Sequence, residues 1–335
     1  MQIYIDESGT FTGIGGANKP SVVGALVIPD TVKDRLFDGY LKLRAGLPKD
    51  KGEVKGKQLS AANIRQVIDL LLPYPVLFEA TAIDLGLHTK PGLETHRFRQ
   101  AEGITKPLAL VHHQSMKDDL IAHRKQLEAL SLQLYVQSVA SFDLIHRVGN
   151  HAPLYYAQRI PSELARFDWI IDAKERANPV TPWEKWWSVI LLSMLQAKSA
   201  RDPMPMLAEG ADYSHFKRFE TAWQDWAFPG VDPPEDGLAI DTNKMMTEHF
   251  RFSDAPEPGL EIVDILTNAT RRALIGNLEP AGWSRLPRLM VHQGNHYVHL
   301  ISMQQVDDVD LPYSSVLNKF RVGGRPMLTP ANAAA

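Results

Sequence analysis

The chain begins Met1-Gln2-Ile3-Tyr4-Ile5-Asp6-Glu7-Ser8-Gly9, and this run constrains the fold more than any other. Gln2 to Asp6 is β-rich, with the alternation of a strand entering a hydrophobic core. Two carboxylates, a serine and a glycine then stop it. Strand interiors favour apolar side chains, and burying an unpartnered charge is costly. A carboxylate at this place is therefore either a turn former or a group kept at the sheet edge for its chemistry. Ends of parallel strands in α/β sheets open into the crevice where ligands bind.

The pattern downstream is that of an α/β domain with a mixed sheet. Ser21 to Ile28 is a second strand reached by a short glycine-rich link. Asp30 is placed to cap a helix running to about Leu47, and Ser60 to cap another with Ile64, Val67, Ile68, Leu71 and Leu72 inward. Val76 to Leu85 reads as a third strand. Residues from about Leu87 to Asn150 form a helical insertion. Phe167 to Asp172 is a short strand ending in a carboxylate. Thr181-Pro182-Trp183-Glu184 has the capping box and first-turn proline of a helix start. The stripe that follows, from Trp183 to Leu195, is read as core. Glu248 to Asp254 is a further strand and Gly259 to Leu274 a helix. Arg288 to Met303 is expected to be a hairpin turning at Gly294-Asn295, followed after Pro326 by a mobile tail. The expected division is residues 1–275 for the main domain and 276–335 for the hairpin extension and tail.

Four carboxylates share one logic: Asp6 and Asp172 at strand ends, Glu53 in the lysine-rich loop before the Ser60 helix, and Asp264 on the late helix. On that helix Glu261, Asp264, Asn268 and Arg271 occupy one face. Hard divalent ions take oxygen ligands, with carboxylates supplying the charge. Two such ions about 3.5–4 Å apart can clamp both oxygens of a phosphodiester displacement. That chemistry needs converging carboxylates and no protein nucleophile, which suits a chain with no cysteine.

These segments resemble the family called domain of unknown function 3800, a ribonuclease H-like group. The resemblance rests on Ile3-Tyr4-Ile5-Asp6-Glu7-Ser8-Gly9 first. It continues in order through Glu53-Val54-Lys55, Ile170-Ile171-Asp172, and Phe252-Ser253-Asp254 followed by Gly259-Leu260-Glu261-Ile262-Val263-Asp264. Glu261 stands where the family has glutamine, and Ala255 where serine is common. The likeness covers residues 1 to about 275. It implies a ribonuclease H-like fold and metal-dependent cleavage of DNA or RNA. Asp6, Glu53, Asp172 and Asp264 would hold Mg²⁺ or Mn²⁺, and Ser8, Lys55 and Arg271 would contact substrate.

Other readings compete. Asp6-Glu7-Ser8-Gly9-Thr10 also resembles the haloacid dehalogenase motif Asp-x-Asp-x-Thr, but Ser8 replaces its second aspartate and removes the general acid. A non-catalytic ribonuclease H-like module binding protein or nucleic acid is the third reading. A net charge of −3 argues against coating nucleic acid through bulk charge and leaves room for local grip. His88, His96, His112, His113 and His123 could suggest zinc, but their scatter favours surface positions. No apolar run reaches the roughly 18–20 residues of a membrane span, and the start lacks a signal-peptide pattern. A cytoplasmic protein without membrane contact is expected.

Overall fold

A computed structural model of the chain describes residues 1–16, 18–173, 181–187, 191, 194, 195, 198, 208–223, 232–292, 294, 296–305 and 310–330. Its centre is a six-stranded sheet built from β1 (Gln2–Ser8), β2 (Ser21–Ile28), β3 (Leu77–Ile83), β4 (Asp168–Asp172), β5 (Phe250–Ser253) and β6 (Val298–Ile301). The strand order is β5-β4-β1-β2-β3-β6. β2 runs antiparallel to both neighbours, and every other adjacent pair is parallel. The link between β1 and β2 carries no crossover helix among its described residues, and β2 returns antiparallel beside β1. The fold is therefore α/β with a mixed sheet flanked by helices.

Period-two alternation divides the core between the two faces of the sheet. Ile3, Ile5, Val23, Ala25 and Val27 pack with α5 (Leu132–Ala157). Tyr4, Val22, Leu26 and Ile28 pack with α1 (Asp30–Arg44), α2 (Ala61–Leu71) and α6 (Pro258–Leu274). The helical insertion is α3 (Lys90–Thr105), α4 (Gln114–Ala129) and α5. Ser60 caps α2 in a reciprocal pair with Asn63. Thr181 and Glu184 form the expected box. Trp183, Trp186, Trp187, Leu191 and Leu195 are core; Ile190, read with them, lies outside the described residues.

Some local expectations are corrected. Asp30 is the first residue of α1 and not its cap. Its amide and that of Thr31 are capped from afar by the buried Glu163 carboxylate, at 2.8 and 3.0 Å. The Asp30 side chain instead takes the N-terminal ammonium of Met1. The late hairpin does not form. Val291–His292 pairs parallel with Arg325–Pro326, while Val298–Ile301 joins the edge of β3. Local alternation could not reveal that a longer-range sheet edge would take the second strand. In the tail, Arg159 donates to the Met327 carbonyl and Thr329 donates to Gln158; residues 331–335 lie outside the described part. His88 is buried, not superficial, and accepts from the Met303 amide.

A polar seam joins α5 to the sheet. Glu79 of β3 accepts from Arg147 and pairs with His151, each at 3.0 Å. One turn before Arg147, Asp143 accepts from Thr81 and pairs with His299 of β6. Burial alone would push the Glu79 carboxyl up. The His151 and Arg147 charges and hydrogen bonds outweigh it and hold the group below the usual glutamate range. Its contribution is thus present above the ordinary glutamate pKa of about 4.3 and is lost as pH falls through the depressed value. Glu79→Gln keeps the volume but leaves the half-buried Arg147 without its carboxylate, and should cost about 3 kcal/mol at neutral pH. Urea unfolding should show the gap to the parent chain narrowing as pH is lowered below the ordinary glutamate pKa of about 4.3. A gap that stays constant over that range would contradict the assignment.

Candidate functional site

The site is assembled where α6 crosses the ends of β1 and β4. Ile5 pairs with Ile171 in parallel register. Asp6 and Asp172 are therefore neighbours one step further on, on the face shared by Tyr4 and Ile170. The helix can approach that face because of two glycines. A Cβ on Gly24, the partner of Asp6 in β2, would lie 2.1 Å from Thr267 Oγ1. One on Gly259 would meet the Tyr4 ring at 2.3 Å. With the helix this close, Asp264 reaches the end of β1 and shares a hydrogen bond with the buried Asp6.

The same helix docks the loop that carries Glu53 and Lys55. Glu261 accepts from Arg44 Nε at 2.5 Å and Nη2 at 2.7 Å, from Tyr40 at 3.0 Å, and from the Val54 amide at 3.1 Å. One turn on, Asp264 Oδ2 accepts from the Gly56 amide at 2.7 Å. Arg272 then holds the carbonyls of Gly56 and Leu59. Gly56 is required because a Cβ there would sit 2.9 Å from the Ile265 Cα. Burial raises the Glu261 pKa, but the Arg44, Val54 and Tyr40 bonds overcome this and keep it depressed. Glu261 is thus an ionised brace for the loop.

The result is a cleft of about 270 Å³ with seven carboxylates and one lysine among its thirteen lining residues. Lys55 Nζ stands 2.8 Å from Glu53 Oε2. Burial raises the carboxyl pKa of Asp172, with Lys55 opposing and Asp264 adding to the rise. Asp264 is raised for the same first reason, against the pull of the Gly56 amide, Lys55 and the Asp6 hydrogen bond. Both shifts are mainly the cost of holding a carboxylate away from water. Glu257 is committed to Arg251 and Ser253, and Asp254 is at the exposed rim.

Of the residues singled out in the sequence, Asp6, Glu53, Lys55, Asp172 and Asp264 line this one cleft. Ser8 and Arg271 do not. Ser8 is buried and accepts from Asn268 at 3.1 Å, while Arg271 lies two helical turns beyond Asp264 and lines a neighbouring pocket. A helix face is visible in sequence, but where it leaves the sheet edge is not. The brace from Arg44 to Glu261 has no sequence signal. Glu257 could have been noticed as the acid before Pro258. No three His, Asp or Glu side chains among the described residues are gathered closely enough to hold a metal ion as they stand. Compared with family models, curated proteins and solved structures, the chain matches none.

Removing the brace should loosen the loop before the fold. Glu261→Ala is expected to cost about 3 kcal/mol by leaving Arg44 unpaired and to open the chain at Lys51, Lys55 and Lys57. Limited trypsin digestion should cut there several-fold faster than in the parent. Unchanged cleavage at those lysines would show that Glu261 does not hold the loop.

Proposed function

We propose that this chain is a ribonuclease H-like, metal-dependent nuclease that hydrolyses phosphodiester bonds of DNA or RNA through two-metal chemistry. The observation that carries this reading is convergence. Asp6, Glu53, Asp172 and Asp264 come from two strands, a loop and a helix, yet line one cleft at one end of the central strands. They are also the positions on which the resemblance to the domain of unknown function 3800 family rests.

The donor set fits a hard divalent ion. It is all oxygen, no histidine lines the cleft, and its negative charge exceeds what Lys55 offsets. The Asp6–Asp264 contact points the same way, since two carboxylates in hydrogen-bond contact share a proton or a cation. Asp6, Asp172 and Asp264 would hold Mg²⁺ or Mn²⁺, with Glu53 completing the set. The chemistry such an ion supplies when bound is charge, which admits a phosphodiester anion to an acidic cleft and offsets the charge that develops on hydrolysis. Lys55 orients Glu53 and presents a cation beside Asp172 and Asp264. Glu261 and the Gly56 amide keep that loop in place. Ser8, buried against Asn268, stands where the phosphotransferase motif needs an acid, which disfavours that reading.

Purified protein should cut at least one of single- and double-stranded DNA and RNA with Mg²⁺ or Mn²⁺, and none with excess chelator. Asp172→Asn and Asp264→Asn should each lower the rate by about a hundredfold or more and weaken Mn²⁺ binding measured by calorimetry. Absence of cleavage on all four substrates, together with absence of Mn²⁺ binding, would overturn the reading. Mn²⁺ binding without cleavage would favour a non-catalytic module.

A further inference from the structure

The carboxylate cleft has a neighbour of opposite character. A second pocket of about 250 Å³ is lined by Thr10, Thr12, Lys19, Ser21 and Arg271, with glycines between them and no acidic residue. Three observations mark it as an anion site. Arg271 is half-buried, yet its one hydrogen bond among the described residues is from Nε to the Pro20 carbonyl, at 3.2 Å. Its guanidinium meets no carboxylate there, and burial is the sole cause that lowers its pKa. A partly desolvated cation without a counter-charge is costly, and an anion removes the cost. Lys19 is exposed and makes no ion pair with any described residue.

The walls are also pre-shaped. The loop after β1 takes left-handed backbone at Gly9, Phe11, Gly13 and Gly15. Phe11 is buried, and its amide donates to Ser21 Oγ at 3.1 Å. Gly15 donates to the Leu85 carbonyl, and Asn18 to Asp84 at 2.8 Å. The hydroxyls of Thr10 and Thr12 lie 2.6 Å apart at the mouth. Hydroxyls, an arginine and a lysine on a glycine-rich loop are donors suited to phosphate oxygens.

The position matters as much as the chemistry. Arg271 lies seven residues after Asp264 on α6, which is nearly two whole turns and about 10 Å along the same face. Asn268, bonded to Ser8, fills the turn between them. A strand whose scissile phosphate enters the acidic cleft can lay a flanking phosphate in the second pocket.

We propose that this pocket binds a non-scissile phosphate of the substrate strand, so that the chain acts on polynucleotides rather than on mononucleotides or phosphomonoesters. The proposal rests on the nuclease reading. It also accounts for how a chain of net charge −3 grips a polyanion: the attraction is local and lies beside the metal-binding carboxylates. No base edge need be read, so the grip is independent of sequence.

The test uses the full chain with Ca²⁺ in place of Mg²⁺, and fluorescein-labelled oligonucleotides followed by anisotropy across a salt series. Arg271→Gln and Lys19→Gln should each weaken binding several-fold, reduce the salt slope by about one, and leave Mn²⁺ binding unchanged. Lys19 is exposed, so its variant separates loss of contact from loss of fold. Arg271→Lys should recover part of the affinity. Parent-like affinity and salt slope in both glutamine variants, with the parent binding oligonucleotide, would overturn the pocket and leave the nuclease reading standing. Inorganic phosphate or a mononucleotide competing at concentrations close to those of the oligonucleotide would also overturn it, assigning the pocket to a free phosphate. A parent chain that neither binds nor cuts any oligonucleotide would remove both proposals.

Discussion

The structure depends on how closely α6 lies against β1 and β2. Gly24 and Gly259 leave no side chain in the contact, and a methyl group at either would collide with Thr267 or Tyr4. This approach brings the Asp264 carboxyl to the end of β1 and draws the Glu53–Gly56 loop onto the helix through Glu261 and Asp264. Two like charges about 4 Å apart repel by about 4 kcal/mol at an effective dielectric near 20. The apolar clusters on both sheet faces are what hold such groups together. The cleft is therefore a feature of tertiary packing that no single element could supply.

Along α6 the charge changes sign. Its first turns present Glu261 and Asp264 to the loop and to β1, and its last turns carry Arg271 and Arg272. Carboxylates early in a helix and arginines late suit the helix dipole, so this polarity also favours the helix itself. The bulk charge of −3 conceals the separation. What a polyanion would meet is a carboxylate-lined cleft next to a pocket lined by Lys19 and Arg271, joined by Asn268 and Ser8.

Much of this could be read from residues, for identifiable reasons. Asp6 and Asp172 stood out because a period-two apolar run stopped at a carboxylate, and a strand end has few packing reasons for one. Asp264 stood out because helical periodicity set it on a polar face. The capping pairs at Ser60 and Thr181 were visible because they are local. What escaped was non-local. Glu163 caps α1 from more than a hundred residues away. Arg44 braces Glu261 across the core. The apparent hairpin came apart because β3 offered its second strand a longer edge. Arg271 was on the right helix face but past the end of the cleft, since periodicity gives direction and not depth. Gly24 carried no mark at all, because its role lies in a helix more than two hundred positions later.

The central claim is that Asp6, Asp172 and Asp264 converge to hold divalent ions. Crystals of the full chain grown with Mn²⁺, with diffraction recorded near the manganese absorption edge, test it most directly. Anomalous density is expected between those three carboxylates, with Glu53 at its margin and none in the pocket of Arg271. Carboxylates that remain apart, or manganese bound only elsewhere, would contradict it.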